Sequence, residues 1–128
     1  IFIYPSFTNH PKETLQYFKK FCDDFKFKYK VITNAKEFIL KKDIAYISVS
    51  DRILGNFLEQ CRENNLEPGK DVGFLSYNDT PMKKFIYKGI SVISTDFNEL
   101  GIKAAGFVNK DETIKTYIPS KLIIRDSL

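Results

Sequence analysis

Two stretches in the second half of the chain switch abruptly from apolar to polar residues. The apolar run at residues 72–75 stops at the polar turn 77–80, and the run at 90–93 stops at 94–96. Each stop is followed at once by a helix-start signal. Strand, polar tip and helix in this order predict an α/β fold, with a mainly parallel sheet flanked by helices. In such sheets ligands bind at the carboxyl ends of the strands, so the polar tips mark the candidate site.

The rest of the chain carries the same two patterns. Further strands are predicted at residues 1–4, 27–31, 44–49, 114–118 and 121–124, and helices at 35–40, 82–87 and 98–108, after His10, and from Ser50-Asp51 onwards. Helical spacing assigns two sets of side chains to the core: Leu15, Phe18, Phe21, Cys22 and Phe25, and Ile53, Leu54, Phe57, Leu58 and Cys61. Lysines alternate with Phe27, Tyr29 and Val31, which predicts a strand with one wet side near a sheet edge.

Length and composition narrow the class of protein. The 128 residues suffice for one domain or one lobe, and because the chain opens at Ile1 inside an apparent strand we expect a fragment. No apolar run approaches the roughly 18 residues that a membrane helix needs. The net charge of +4 is spread over many lysines, which favours a solvated face over a nucleic-acid stripe. Cys22 and Cys61 lack metal-ligand spacing, so buried free thiols are expected, as suits a reducing compartment.

Catalytic motifs are absent from the sequence, and we predict neither enzymatic activity nor a cofactor. The only histidine, His10, precedes a proline at a helix start, where capping or a surface role is favoured. Asp51, Asp79 and Asp96 each follow a predicted strand. Their carboxylates could bind Mg²⁺ as in some phosphoryl-transfer folds, cap helices, or accept hydrogen bonds from sugar hydroxyls. Capping is favoured for Asp96, whereas for Asp51 both roles stay open.

Neutral polar groups accompany the carboxylates at the same predicted edge. Asn78 and Asp79 share one tight turn, where ligand contact is favoured for at least one of them. Ser50, Tyr77 and Thr95 add donors, acceptors and an aromatic face that can cover an apolar sugar surface. This mixture suits polyol recognition, although ordinary strand-end turns have the same composition.

Four segments, in order along the chain, resemble the effector-binding region of LacI/GalR-type repressors. They are Ser50-Asp51 at a helix start, the turn 77–80, the segment 93–105 and the closing strand 122–127. The resemblance covers residues 40–128 well and 1–39 loosely. Its wording is most similar to hybrid regulators, in which a GntR-type winged-helix domain precedes a LacI-like sensor.

The resemblance implies a two-lobed sensor similar to periplasmic binding proteins, of which residues 1–128 form the C-terminal lobe. Residues 90–109 would be the crossover strand and a helix that packs on the other lobe. The isolated chain is therefore expected to associate through that helix or the adjoining strand. The implied function is a cytoplasmic, dimeric transcriptional regulator that couples effector binding to DNA binding by a separate N-terminal domain. The effector would be a small, sugar-like molecule, held by the following residues: Ser50, Asp51, Tyr77, Asn78, Asp79 and Thr95.

Two departures bear on the effector. The first helix of the lobe lacks the arginine that often grips sugar hydroxyls or carboxylates, and Asn78 replaces the commoner aspartate. A standard monosaccharide effector is therefore in doubt. Two other functions stay open, a periplasmic sugar-binding protein and a Mg²⁺-dependent phosphoryl-transfer enzyme that uses Asp51 and Asp79.

Overall fold

A computed structural model describes residues 1–34, 38–110 and 115–128, with the side chains of 109 and 110 left out. The strands are β1 (Phe2–Ile3), β2 (Val31–Ile32), β3 (Ala45–Ser48), β4 (Gly73–Tyr77), β5 (Ser91–Thr95) and β6 (Ser120–Ile123). The helices are α1 (Lys12–Asp24), α2 (Asp51–Glu63) and α3 (Phe97–Lys110), with a short 3₁₀ helix at Pro81–Lys84.

The six strands form one sheet in the order β2-β1-β3-β4-β5-β6. The first five strands are parallel, and only β6 runs antiparallel to its neighbour β5. The predicted fold class, an α/β protein with a mainly parallel sheet and flanking helices, is therefore confirmed.

Helices cover both faces of the sheet. On one face, Phe57 of α2 packs against Phe74 of β4 with ring centroids 4.4 Å apart, and Ile3 and Ile53 belong to the same core. On the other face, Phe18 of α1 meets Phe2 of β1 at 4.8 Å. Because neighbouring residues of a strand point to opposite faces, Phe2 and Ile3 alone place α1 and α2 on opposite sides.

The predicted core face of α1 is only partly right. Cys22 is buried, but Phe21 and Phe25 are exposed and pack mainly on each other and on Phe27. Helical spacing shows that these side chains share a face, but it does not show that a partner element covers that face. On α2, by contrast, four of the five predicted residues, Ile53, Leu54, Phe57 and Cys61, are buried, and the fifth, Leu58, is partly buried against the same core.

Several predicted boundaries need correction. The alternating segment 27–31 forms a strand only at Val31–Ile32, although that strand does lie at the sheet edge as predicted. The predicted helix at 82–87 is the 3₁₀ helix Pro81–Lys84. Of the predicted helix 35–40, residues 35–37 lie outside the described residues, and 38–40 are not helical. Residue 114 is likewise outside them, and 115–118 form no strand.

The two cysteines are free and buried, as predicted. Burial raises the pKa of the Cys61 thiol to about 11, so that side chain stays protonated and unreactive at neutral pH. No helix in the described part of the chain is long and apolar enough to cross a membrane.

Candidate functional site

Three neighbouring parallel strands end at the same edge of the sheet. Ser48 of β3 lies opposite Ser76 of β4, and Tyr77 of β4 lies opposite Ile93 of β5. The segments that follow these strands carry the predicted site residues. The register therefore brings the backbone at Ser50-Asp51, Asn78-Asp79 and Thr95 to one edge, the carboxyl edge, where ligands bind in open parallel sheets.

Asn78 forms the tightest bend at this edge. Its φ of 61° lies in the left-handed region, which asparagine tolerates better than most residues. Its backbone N–H donates to the carbonyl of Ile93 at 2.8 Å, so the bend stays attached to β5. This backbone hydrogen bond is one of the contacts that hold the turn.

Ser50 and Asp51 begin α2 at the neighbouring strand end. Ser50 is extended and occupies the cap position, but its side chain makes no capping hydrogen bond. Its N–H instead donates to the Ser48 hydroxyl at 3.2 Å. The exposed carboxylate of Asp51 lies 2.7 Å from the Nζ of Lys83. The Ser50 side chain therefore does not cap α2.

Lys83 is a residue of this edge that sequence reasoning missed. It follows a strand end within a lysine pair, which resembles a solvated charge run. In the structure it is only 2% exposed, and its Nζ donates to the carbonyls of Tyr77 at 2.9 Å and Asn78 at 2.7 Å. Sequence alone could not reveal this, because the acceptors are backbone groups supplied by the turn.

Asp79 is engaged within the chain. The guanidinium of Arg125 donates to its two carboxylate oxygens at 2.9 and 2.7 Å, and also to the Ile90 carbonyl at 2.8 Å. These hydrogen bonds from Arg125 lower the pKa of Asp79 below its ordinary value. Asp79 therefore ties the β4 turn to the C-terminal segment, which competes with the predicted role in effector contact.

Asp96 caps α3, as favoured from the sequence. Its carboxylate accepts the N–H of Glu99 at 3.0 Å. Next to it, the Thr95 hydroxyl lies 3.3 Å from the Ser120 hydroxyl on β6.

Two cavities lie at opposite ends of the strands. One of about 360 Å³ adjoins Asp79, Thr95 and Asp96. A larger one of about 770 Å³ lies near the amino ends of the strands, along Phe27 and Ala45.

Aromatic contacts extend the edge towards β1. The Tyr77 ring meets His10 edge-on, with centroids 4.9 Å apart. Beside it, the guanidinium of Arg52 stands 5.1 Å from the centroid of the Phe7 ring, a cation–π contact. Sequence analysis did not assign Phe7 or Arg52 to the site, since neither belongs to a recognisable motif.

A metal site finds no support in the described ranges. They contain no group of three or more histidine, cysteine, aspartate or glutamate side chains that could hold a metal ion. Asp51 and Asp79, the pair considered for Mg²⁺, are each paired with a different cation of the protein. The arrangement offers hydroxyl, amide and carboxylate groups along an edge, which suits hydrogen bonding to a small polar molecule.

Comparison with known proteins finds similarity to transcriptional regulators. No protein-family profile matches the chain. The HTH-type transcriptional regulator GalR of Streptococcus thermophilus is 29% identical over 89 residues, which are 65% of this chain and 27% of that protein. The solved Escherichia coli transcriptional repressor ascG matches 99% of this chain and 54% of its own, with a TM-score of 0.79 and 15% identity.

Two further solved structures have the same fold. The transcription regulator CcpA of Lactococcus lactis matches 98% of this chain and 54% of its own, with a TM-score of 0.75 and 11% identity. A LacI family transcriptional regulator from Enterococcus faecium with bound ribose matches 98% of this chain and 55% of its own, with a TM-score of 0.75 and 16% identity.

This chain has the fold of the LacI/GalR-type transcriptional regulators. The shared architecture is a mainly parallel six-stranded sheet with flanking helices. It spans about half the length of the solved relatives described above, and 27% of the curated one.

Proposed function

We propose that this chain is the C-terminal, ligand-sensing lobe of a bacterial transcriptional regulator. In this proposal a small, sugar-like effector binds between this lobe and a second lobe, and closure of the lobes is coupled to DNA binding by another domain. Ligand-coupled closure of this kind is a population shift between two arrangements, driven by the difference in effector affinity between them.

The carrying observation is the carboxyl edge of the parallel sheet. It gathers Ser50, Asp51, Asn78 and Thr95 after three adjacent strands, in a fold that similar regulators share. A solved regulator with this fold has ribose bound. Hydroxyl, amide and carboxylate groups match the donors and acceptors of a polyol, and Tyr77 supplies an aromatic face.

The proposed lobe boundary rests on α3. It carries exposed apolar side chains, among them Phe97, Ile102, Phe107 and Val108, which would be covered by a second lobe. We therefore assign residues 1–128 to the C-terminal lobe, and 90–109 to the crossover strand and the helix that packs on the other lobe. A DNA-binding domain of the GntR winged-helix type, and a cytoplasmic location, belong to the same proposal.

A homodimer is also part of the proposal. Met82 is exposed on the 3₁₀ helix, and Phe85 and Tyr87 are exposed on the segment that follows it. Tyr87 lines a shallow cavity with Gly55 and Leu58 of α2. An exposed apolar patch on an otherwise polar surface is typical of a protein–protein contact. A twofold contact through this patch would place two sensor lobes side by side.

The function is tested by a thermal-shift screen of sugars and sugar phosphates on the full-length protein that contains this chain. We expect at least one compound to raise the melting temperature, and the same compound to change affinity for operator DNA. Asn78→Ala should remove both responses. Silence across a broad panel, with DNA binding intact, would contradict the sensor function. Effector binding without any DNA binding would instead favour the periplasmic sugar-binding alternative.

A further inference from the structure

Lys83 places a fully buried ammonium group beside the proposed effector site. Two backbone hydrogen bonds hold Lys83 in place. The Lys83 N–H donates to the Thr80 carbonyl at 3.1 Å, and the Lys83 carbonyl accepts from the Ile90 N–H at 2.8 Å. Lysine is among the residues least often buried, and a buried ammonium needs partners for its three N–H donors.

Three acceptors surround the ammonium at the carboxyl edge, two through hydrogen bonds and one through an ion pair. The Nζ lies 2.9 Å from the Tyr77 carbonyl, 2.7 Å from the Asn78 carbonyl and 2.7 Å from Oδ1 of Asp51. Two of these groups follow β4, and the third opens α2 after β3. One side chain thus connects the two strand ends whose residues are proposed to contact the effector.

Lys83 contacts a backbone bend whose left-handed conformation is unfavourable in free energy. Asn78 is in the left-handed region, and such backbone conformations persist where surrounding contacts over-determine them. The Tyr77 carbonyl comes just before this bend and the Asn78 carbonyl just after it. Both accept hydrogen bonds from the Lys83 ammonium. The Asp51 side chain is more than half exposed, and its ion pair with Lys83 ties its carboxylate to the same ammonium.

We propose that Lys83 is a positioning residue, which fixes the Asn78 turn and the Asp51 carboxylate relative to each other in the geometry that receives the effector. This inference rests on the proposed function of the same edge and adds to it a residue that does not touch the effector. Since the ammonium joins both half-sites, its loss weakens binding of every effector in similar measure, unlike the loss of a direct contact.

The first test needs no effector. In the full-length protein, Lys83→Met removes the ammonium and keeps the length of the side chain, while Lys88→Met makes the same change at an exposed lysine nearby. We expect the amide NMR resonances of Asp51 and Asn78 to move in Lys83→Met and to stay in place in Lys88→Met. Unchanged resonances at both positions in Lys83→Met would overturn the proposal.

The second test measures binding by calorimetry with ribose, glucose and their phosphate esters. For each compound that binds the wild type, Lys83→Met should raise Kd by about tenfold or more, since truncating one partner of a buried charged hydrogen bond costs that much or more. Asp51→Asn should then have a smaller effect in the Lys83→Met background than alone, because both changes disrupt one arrangement.

A purely structural lysine would give another pattern. Phe57→Leu, a core change that removes no polar group of the edge, serves as the destabilised control and should leave Kd unchanged. An equal Kd for Lys83→Met and Phe57→Leu would overturn the proposal. If no compound binds the wild type, the proposed function fails, and the resonances alone decide the role of Lys83.

A second variant tests the same connection if Lys83→Met does not fold. If Lys83→Met is insoluble, Asp51→Asn removes only the exposed partner of the same ammonium. The Asn78 resonance should still move, because Lys83 transmits the change between the two strand ends. A stationary Asn78 resonance in folded Asp51→Asn would contradict the positioning role.

Discussion

Two aspartates at the carboxyl edge differ in what their carboxylates are free to do. Asp79 is held at both oxygens by Arg125, whereas Asp51 meets Lys83 through one oxygen and is more exposed. A carboxylate that already accepts a two-point guanidinium contact has little capacity left for a ligand. At the residue scale, Asp51 is therefore the better candidate for effector contact, and Asp79 is better explained as a structural tie.

The first prediction concerns that tie. Asp79→Asn should lower the free energy of unfolding by about 2 kcal/mol at neutral pH, the usual value of hydrogen bonds to charged groups in a partly buried setting. Urea denaturation of wild type and variant measures the difference. The matched control is Asp24→Asn, which breaks the exposed pair with Lys20 and should change stability by no measurable amount.

The same variant has a defined pH dependence. The folded pKa of Asp79 lies below the ordinary value of 3.8, so the stability it contributes is fully present above that pH. It is lost as the pH falls through the folded pKa, because protonation removes the charge that Arg125 holds. The difference between wild type and Asp79→Asn should therefore be constant near neutrality and shrink on acidification. A difference that grows towards acid pH would contradict this account.

At the scale of elements, the sequence predicted strands and helices where burial is decided locally. The apolar runs before Tyr77 and Thr95 became β4 and β5, and the stripe on α2 became core. The pattern failed where burial depends on a distant partner. Phe21 and Phe25 match a core stripe but remain exposed, and Lys83 matches a solvated run but is buried.

The candidate site follows the same division. A mainly parallel sheet could be predicted, so the placement of Ser50, Asn78 and Thr95 along one edge could be predicted too. Their partners could not, since Arg125 lies 46 residues from Asp79 in the chain. A salt bridge of that separation leaves no local pattern in the sequence.

The second prediction concerns the C-terminal segment, which packs against the loop at Gly69 through Asp126 and Ser127. Gly69 has φ +80°, and a Cβ built there would lie 1.8 Å from the carbonyl oxygen of Asp126. Gly69→Ala should therefore cost about 3 kcal/mol or more, from left-handed strain together with displacement of the segment. Urea denaturation measures the loss.

Gly55 provides the matched control for the same substitution. It lies inside α2, and a Cβ there meets nothing within 4 Å. Gly55→Ala should stabilise the isolated chain by up to about 1 kcal/mol, because alanine favours the helix. Equal effects of the two substitutions would show that the C-terminal segment does not dock against the loop at Gly69.

At the scale of the whole molecule, the described residues leave several apolar side chains uncovered, among them Phe21, Phe25 and Phe27, and two of the uncovered surfaces bear on the proposal. One is on α3, which the proposal assigns to the other lobe, and the second is the patch formed by Met82, Phe85 and Tyr87. Both lie outside the core that α2 shares with the sheet. The proposal assigns them to two different partners, the second lobe of the same polypeptide and a second copy of the protein.

The third prediction tests the dimer patch. Phe85 is 80% exposed, so Phe85→Glu should not affect folding but should place a charge in the proposed contact. Light scattering of the full-length protein should show a dimer for the wild type and a monomer for the variant. Phe25→Glu, at an exposed phenylalanine after α1, is the control and should remain a dimer. A dimeric Phe85→Glu would assign the contact to another surface.

The central claim, that the carboxyl edge of the sheet receives a small polar effector, is tested most directly by mapping amide NMR shifts of the full-length protein. Titration with the panel of sugars and their phosphate esters should move resonances at residues 50–52, 77–80 and 95–96. Shifts confined to the amino ends of the strands, around Phe27 and Ala45, would contradict the claim, as would a panel in which no compound moves any resonance.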